Sequence, residues 1–193
     1  MKKPFVIAIS GVSGSGKTTV TDELKNRLEN CAVLSFDDYD DICLVGRDIN
    51  DLPEGRNLYD DWQVGPIAAD IERLLKEPLD YIILDYPFGR QNSTVAPYID
   101  LSVFIDVPLD AALARRIIRD YTDRRAERKD ISIDLKVIED YLKHYFKFQI
   151  PTYRHHIDTQ KPYADLVIDG MQDVKTSAEQ IVECLYKKRS EIG

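Results

Sequence analysis

The feature that most constrains this chain is the stretch GVSGSGKTTV, which spans positions 11 to 20. It follows an apolar run, Phe5 to Ile9, that predicts a buried strand, and it precedes TDELKNRL, which predicts a helix. Gly11 to Thr18 matches the pattern G-x-x-x-x-G-K-[ST] at every fixed position. The pattern alone would also fit a glycine-rich turn that binds nothing. The strand before it and the helix after it favour a phosphate-binding loop.

The chemistry of this loop predicts a role for most of its positions. Glycine lets the backbone turn so that successive N–H groups point at phosphate oxygens, and the following helix adds the positive end of its dipole. We expect ATP here, with Lys17 at the β- and γ-phosphates and the Thr18 hydroxyl on Mg²⁺. Thr19 fits helix capping or packing, with contact to the α-phosphate as the alternative. The predicted nucleotide-binding residues are Gly11, Ser13, Gly14, Ser15, Gly16, Lys17, Thr18 and Thr19.

Strand patterns alternate with helix patterns along the rest of the chain. Four further apolar runs predict strands: Ala32–Phe36, Tyr81–Leu84, Leu101–Val107 and Ala164–Ile168. Continuous apolar runs are typical of parallel strands that are covered on both faces. Helices are predicted over 17–29, 66–76, 108–121, 134–148 and near the C-terminus. The alternation predicts one α/β domain over 1–193, a three-layer P-loop NTPase fold with a five-stranded parallel sheet, helices on both faces and a small lid.

Charge and composition exclude several classes of partner. The net charge of −8 argues against a nucleic-acid binder, because phosphate backbones require a basic face. No apolar run approaches the ~20 residues of a membrane span. Three cysteines form no paired set, which fits a reducing cytosol. We therefore expect a cytoplasmic protein that binds a small molecule, with no nucleic-acid or membrane partner.

Two acids follow predicted strands, where ligands gather in open α/β folds. Asp85 ends the run YIIL, and we predict that it holds Mg²⁺ through water; a turn residue is the alternative. Asp37 follows the second strand, and a carboxylate there could accept the proton of an attacking hydroxyl. The alternative for Asp37 is a solvated acidic loop, which is the interpretation we give to Asp40 and Asp41. The polar stretch 37–63 is predicted to be an insert on the acceptor side of the site.

The segment LARRIIRDYTDRR carries a cluster of cations in an acidic chain. Its arginines are Arg115, Arg116, Arg119, Arg124 and Arg125. Arg115 and Arg119 share a helix face, away from an apolar stripe. We predict an arginine lid over 115–130 that stabilises the transferred phosphoryl group, with Arg119 as its catalytic member. The alternative is a solvated face paired to Asp120, Asp123 and Glu127.

Together these motifs resemble the uridine kinase and phosphoribulokinase branch of the P-loop kinases. AISGVSGSGKTT resembles its phosphate loop, SFDDY its D-x-[FY]-Y segment, and IDLSVFIDVPLDAALARRIIRD its strand, helix and arginine lid. IPTYRHHIDTQKPYADLVIDG resembles its late segment near the adenine, so the resemblance covers most of the chain. It implies a kinase that uses ATP and Mg²⁺ to phosphorylate a hydroxyl, most simply that of a nucleoside, with the catalytic acid at Asp37.

The chain departs from the family pattern on the acceptor side. Asp85-Tyr86 replaces Glu-Gly, Asp40 replaces an aromatic residue, and Asp61 stands where a base-reading histidine would fall. A non-nucleoside acceptor (pantothenate, a sugar phosphate or a hydroxy acid) is therefore the second hypothesis. A regulatory P-loop NTPase is the third.

The sequence does not decide the roles of several residues or whether the protein self-associates. Arg90 could bind an acceptor anion or serve in a turn, and Tyr59 and Trp62 could line the acceptor pocket or pack in the core. His155-His156 fits a surface or packing position better than a metal site. Self-association is left open.

Overall fold

The structure, a computed structural model, describes residues 3–39, 58–123 and 135–192. Most of the predicted acceptor-side insert and the second half of the predicted lid lie outside these ranges. The predictions for Asp40, Asp41, Arg124, Arg125 and Glu127 fall there. Within the described ranges, no helix is long and apolar enough to cross a membrane.

A five-stranded parallel sheet forms the centre of the molecule, as predicted. Its strands are β1 (Phe5–Ser10), β2 (Cys31–Ser35), β3 (Tyr81–Asp85), β4 (Leu101–Asp106) and β5 (Leu166–Asp169). They lie in the order β2-β3-β1-β4-β5, and every neighbouring pair is parallel. Every residue of β1 and β3 is buried, which explains why those two runs lack polar alternation.

The described residues contain six α-helices, five of them between strands and one after the last strand. They are α1 (Lys17–Arg27), α2 (Gly65–Leu74), α3 (Leu109–Ile117), α4 (Leu135–His144), α5 (Ile150–Gln160) and α6 (Val174–Ile192). A π-helical turn, Ile118–Asp123, continues α3, and another, Tyr145–Gln149, joins α4 to α5. Short 3₁₀ turns cover Phe36–Asp38 and Leu58–Asp61. The sequence did not predict α5; Pro151 lies in its first turn, where a missing N–H breaks no helical hydrogen bond.

The helices cover both faces of the sheet and give the three predicted layers. On one face, α1 and α6 pack on alternate residues of β1, including Ile7 and Ile9. On the other face, α2 packs on Val6 and Ala8. Neighbouring residues of β1 pack into the hydrophobic cores on opposite faces of the sheet. The continuous apolar pattern of β1 therefore follows from burial on both faces.

Strand register decides which side chains meet at the carboxyl edge of the sheet. In β3, Asp85 pairs with Ile9 of β1 on one side and with Ser35 of β2 on the other. The phosphate loop leaves β1 just after Ile9, and Asp37 follows Ser35 by two residues. The order of the central strands therefore brings the phosphate loop, Asp37 and Asp85 together at the carboxyl edge of the sheet.

Candidate active site

The loop between β1 and α1 has the geometry of an anion cradle. Gly11, Gly14 and Gly16 have φ values of 143°, 86° and 100°, in the region that side chains other than glycine rarely adopt. At Gly14, an added Cβ would lie 2.4 Å from the backbone oxygen of Ala112, so the loop packs directly on α3. No side chain caps α1, and its first turn carries no acid. Its first N–H groups are therefore left for an anion.

Lys17 begins α1 and folds back over the loop. Its ammonium group donates to the backbone oxygens of Gly11, at 3.1 Å, and Val12, at 3.3 Å. Burial lowers the pKa of Lys17 from its ordinary value, whereas the carboxylates of Asp85 and Asp37 act to raise it. A desolvated cation held by loop carbonyls can turn to a phosphate with little reorganisation.

Thr18 and Asp85, the two predicted metal ligands, are in contact. The Thr18 hydroxyl donates to the Asp85 carboxylate at 2.6 Å. Burial raises the pKa of Asp85, opposed by this hydrogen bond and by the charge of Lys17. Within the described residues, no group of three or more His, Cys, Asp and Glu side chains could hold a metal. One carboxylate and one hydroxyl beside a phosphate loop fit Mg²⁺, which keeps waters and takes phosphate oxygens as its other ligands.

Asp37 is close enough to Lys17, Asp85 and Arg119 for its charge to act on them. Its side chain is exposed to the cavity, in the 3₁₀ turn after β2. Its negative charge acts on the pKa of Lys17, of Asp85 and of Arg119, raising each of them. Asp37 therefore shares one cavity with the phosphate loop, and its role as the base stays a prediction.

One cavity of about 890 Å³ joins these groups. The predicted site residues that line it are Gly11, Ser13, Gly14, Gly16, Lys17, Thr18, Thr19, Asp37, Asp85 and Arg119. Ser15 is not among the lining residues: its side chain is buried, and its hydroxyl has no partner among the described residues. A volume of this size matches the range of small-molecule and cofactor sites.

The three described arginines of the lid line the cavity but have different partners. Arg115 donates to the backbone oxygens of Ser15 and Gly170, so it ties α3 to the phosphate loop. Arg119 forms an ion pair with Asp120 at 2.8 Å, the partner that the alternative interpretation named. The guanidinium of Arg119 thus lies at the cavity, as the lid interpretation requires. It is also paired with the Asp120 carboxylate, as the surface interpretation requires.

Arg116 lies between aromatic rings. Its guanidinium is 5.4 Å from the ring centroid of Tyr141 and 6.0 Å from that of Tyr153. It donates to the Gln149 side chain and to the Tyr153 hydroxyl, both at 2.6 Å. Its buried Nε has no partner among the described residues. Arg116 is thus a preformed cation beside Gly14, held mainly by neutral groups.

An aromatic wall of Phe36, Tyr59, Trp62 and Phe88 lines another part of the cavity. The Phe88 ring centroid lies 5.3 Å from that of Phe36, 5.6 Å from Tyr59 and 5.2 Å from Trp62. Phe36 follows β2 and Phe88 follows β3, whereas the arginines belong to the helix after β4. Because β1 lies between β3 and β4, the wall and the arginines approach the phosphate loop from opposite sides.

The helix α5 contributes cavity residues that the sequence analysis did not name individually, although it belongs to the segment that the family resemblance puts near the adenine. Thr152, Tyr153, His155 and His156 all line the cavity. For this pair we expected a surface or packing position, and His155 is exposed whereas His156 is half-buried among aromatic rings. The available signal was spacing: positions 152, 153 and 156 recur at helical intervals on one face.

Arg90 has a structural role. It pairs with Asp165 at 2.7 Å and donates to the backbone oxygens of Ile99 and Asp100. It is absent from the residues that line the cavity, as is Asp61. Of the three residues left open, Tyr59 and Trp62 line the cavity and Arg90 does not.

The free energy of unfolding should fall as the pH drops from 7 to 5, in part because of His156. Burial, with a smaller effect of the Lys17 charge, lowers the pKa of His156 to about 3, whereas the unfolded chain has about 6.5. Between these values the unfolded state binds a proton that the native state does not, so stability decreases by up to about 1.4 kcal/mol per pH unit.

Urea unfolding of wild type and His156→Gln at pH 7, 6 and 5 measures this effect. Glutamine does not titrate, so the variant should show a shallower decrease. Identical slopes for the two proteins would contradict the assignment of a neutral, half-buried imidazole.

A sequence model described as the Phosphoribulokinase / Uridine kinase family matches residues 65–177, which is more than half of the 193 residues. The match runs from α2 into α6, so it includes Asp85, the arginines and α5. It begins after the phosphate loop and Asp37, which are identified here by their own geometry.

Curated relatives of similar length carry kinase names. The chain is 26% identical to "Uridine-cytidine kinase B" of Dictyostelium discoideum, over 98% of this chain and 84% of the relative. It is 26% identical to "Uridine kinase" of Macrococcus caseolyticus, over 87% of this chain and 89% of the relative. A third, "Uridine kinase" of Staphylococcus aureus, is 28% identical over 87% of this chain and 88% of its own length.

Solved structures share the fold at low sequence identity. An unliganded sugar kinase from Janibacter sp. gives a TM-score of 0.56 at 14% identity, over 94% of both chains. Deoxyadenosine kinase from M. mycoides with bound dCTP gives 0.51 at 16% identity, over 95% of this chain and 100% of that one. These likenesses support the three-layer α/β fold.

Proposed function

Because this chain belongs to the phosphoribulokinase/uridine kinase family and is a phosphotransferase that acts on a hydroxyl group, we propose that its acceptor is a nucleoside. The family implies ATP as the phosphate donor. The observation that carries the choice of acceptor is the aromatic wall on the side of the cavity away from the arginines. Aromatic rings stack on a nucleobase for about 1–3 kcal/mol per base in nucleic-acid sites.

The distribution of charge favours an uncharged acceptor. Within the described residues, the cations that line the cavity are Lys17 at the loop, Arg115 and Arg116 on α3, and Arg119 in the π-helical turn that follows it. A sugar phosphate, pantothenate or a hydroxy acid would bring an anion to the wall, where none of the cations in the described part of the chain lies and where burying an unpaired anion is costly. Arg90, the cation that could have received such a group, is paired with Asp165 outside the cavity.

In the proposed reaction, four sets of residues have separate functions. The loop amides and Lys17 bind the phosphates, and Thr18 and Asp85 hold Mg²⁺, which when bound neutralises phosphate charge. Asp37 accepts the proton of the acceptor hydroxyl and directs its oxygen at the γ-phosphorus. Arg116 and Arg119 stabilise negative charge on the phosphoryl group as it moves. The cytoplasmic location expected from the sequence stays a prediction.

A panel of acceptors tests the proposal. Purified protein is incubated with ATP, Mg²⁺ and uridine, cytidine, adenosine, guanosine, ribose 5-phosphate, pantothenate or glycerate. ADP release is followed continuously, and products are identified by mass. We expect nucleoside monophosphate, with uridine or cytidine giving the highest kcat/KM.

Two outcomes would contradict the proposal. A higher kcat/KM for ribose 5-phosphate or pantothenate would make the second acceptor hypothesis correct. Slow ATP hydrolysis with no phosphorylated product from any acceptor would instead favour the regulatory NTPase.

A further inference from the structure

His156 makes contacts that link three separate segments behind the aromatic wall. It lies on α5, and its Nδ1 is 3.4 Å from the Tyr59 hydroxyl. Its ring centroid is 5.8 Å from that of Tyr59 and 6.5 Å from that of Phe104. The backbone of Pro87, the residue before Phe88, also lies beside the ring. One imidazole thus touches the segments that carry two members of the wall.

A neutral ring suits these contacts. The Gln160 amide nitrogen lies 3.0 Å from both ring nitrogens, and a neutral imidazole presents one acceptor and one donor nitrogen to the polar groups around it. The titratable groups that act on this ring or contact it are Lys17, His155 and Tyr59, of which the first two disfavour a positive imidazole. No carboxylate among the described residues is in hydrogen-bond contact with it.

Tyr59 and Phe88 in turn hold the rest of the wall. The Trp62 backbone N–H donates to the Tyr59 carbonyl at 3.3 Å, and the Trp62 ring lies 5.2 Å from that of Phe88. The buried Asn92 side chain donates to the same Tyr59 carbonyl at 2.6 Å. A displacement of Tyr59 or of Pro87 would therefore change the spacing of the rings that face the cavity.

We propose that His156 is a positioning residue for the acceptor: its uncharged ring holds Tyr59 and the Pro87–Phe88 segment at the separation the wall needs to stack on a nucleobase. Both ring nitrogens have protein partners, so His156 acts through the wall. The proposal rests on the proposed function for the identity of the acceptor, but the ordering of the wall by His156 does not depend on it.

Steady-state kinetics with uridine as the probe distinguishes a role in positioning the acceptor from a general role in the structure of the site. We expect His156→Ala to raise the KM for uridine about tenfold, with the KM for ATP and kcat changed less than threefold. His156→Gln keeps an uncharged donor and acceptor and should recover most of the loss. The wild-type KM for uridine should show no transition near pH 6.5. Arg154→Ala, an exposed substitution on the same helix, is the control.

Trp62 gives a second readout that needs no turnover, because it is the single tryptophan of the chain. We expect acrylamide to quench its fluorescence more efficiently in His156→Ala than in wild type, with His156→Gln between them. Urea unfolding at pH 7 checks that all variants are folded.

The proposal is wrong if His156→Ala leaves both the uridine KM and the Trp62 quenching unchanged. It is also wrong if folded His156→Ala raises the KM values of ATP and uridine equally. A uridine KM in wild type that follows a pKa near 6.5 and loses that dependence in His156→Gln would mean that the ring is charged. If wild type phosphorylates no nucleoside, the proposed function fails, and the Trp62 quenching alone decides the role of His156.

Discussion

Replacing Asp37 with asparagine should reduce kcat by roughly 10²- to 10⁴-fold, the range that general acid–base catalysis contributes. The substitution keeps the size of the side chain and removes its ability to accept a proton. Asp37 is exposed at the cavity, so the fold should tolerate the change. The KM for ATP should change only a few-fold, because the loop amides and Lys17 supply the phosphate contacts. A coupled assay of ADP release at saturating uridine measures kcat.

The control for Asp37→Asn is Asp158→Asn, which makes the same change of charge at an exposed position on α5. It should behave as wild type. A single-turnover experiment with rapid quench separates the chemical step from product release. If Asp37→Asn retains wild-type single-turnover rates, another group accepts the proton and the assignment is wrong.

Replacing Lys17 with methionine should reduce kcat by roughly 10²- to 10³-fold, the effect of losing one preorganised charge-stabilising group. The ammonium group lies against the Gly11 and Val12 carbonyls, close to where the transferred phosphoryl group would lie. Lys17→Arg should rescue little, since a planar guanidinium cannot fit the position of a compact ammonium. Initial rates at saturating ATP and uridine give the comparison.

Stability provides an independent check on Lys17. Burial lowers its pKa, which means that the folded state bears a desolvation cost for this cation. The methionine variant should therefore be as stable as wild type or more stable in urea unfolding. Lys25→Met, an exposed change in the last turn of the same helix, should alter neither kcat nor stability. A large loss of stability in Lys17→Met would show that the lysine is structural.

The phosphate end of the site could be predicted from the sequence because its parts are local. The glycine spacing, the lysine and the threonine lie within eight consecutive residues, and the loop geometry follows from them. Asp37 and Asp85 could be placed near that loop because carboxyl ends of parallel strands share one edge. Contact between Thr18 and Asp85, at 2.6 Å, agrees with that reasoning.

The partners of the arginines could not be predicted from the sequence. Their cluster predicted cations near the phosphates, but it did not predict three different partners for three neighbouring side chains. Arg115 binds backbone oxygens, Arg116 binds neutral side chains, and Arg119 binds Asp120. Arg115 and Arg116 are successive residues of α3 and therefore project from different sides of the helix, whereas Arg119 lies in the π-helical turn that begins at Ile118.

By itself, the sequence determined the class of fold, the phosphate loop and the two acids at the sheet edge, because each depends on residues that are near in the chain or on a general rule for parallel strands. Only the tertiary structure decided which residues form the side of the cavity that we assign to the acceptor. The wall joins Phe36, Tyr59, Trp62 and Phe88, with His156 behind it, and Arg90 turns instead to Asp165. Contacts between residues so far apart depend on strand order and helix packing, which no local pattern records.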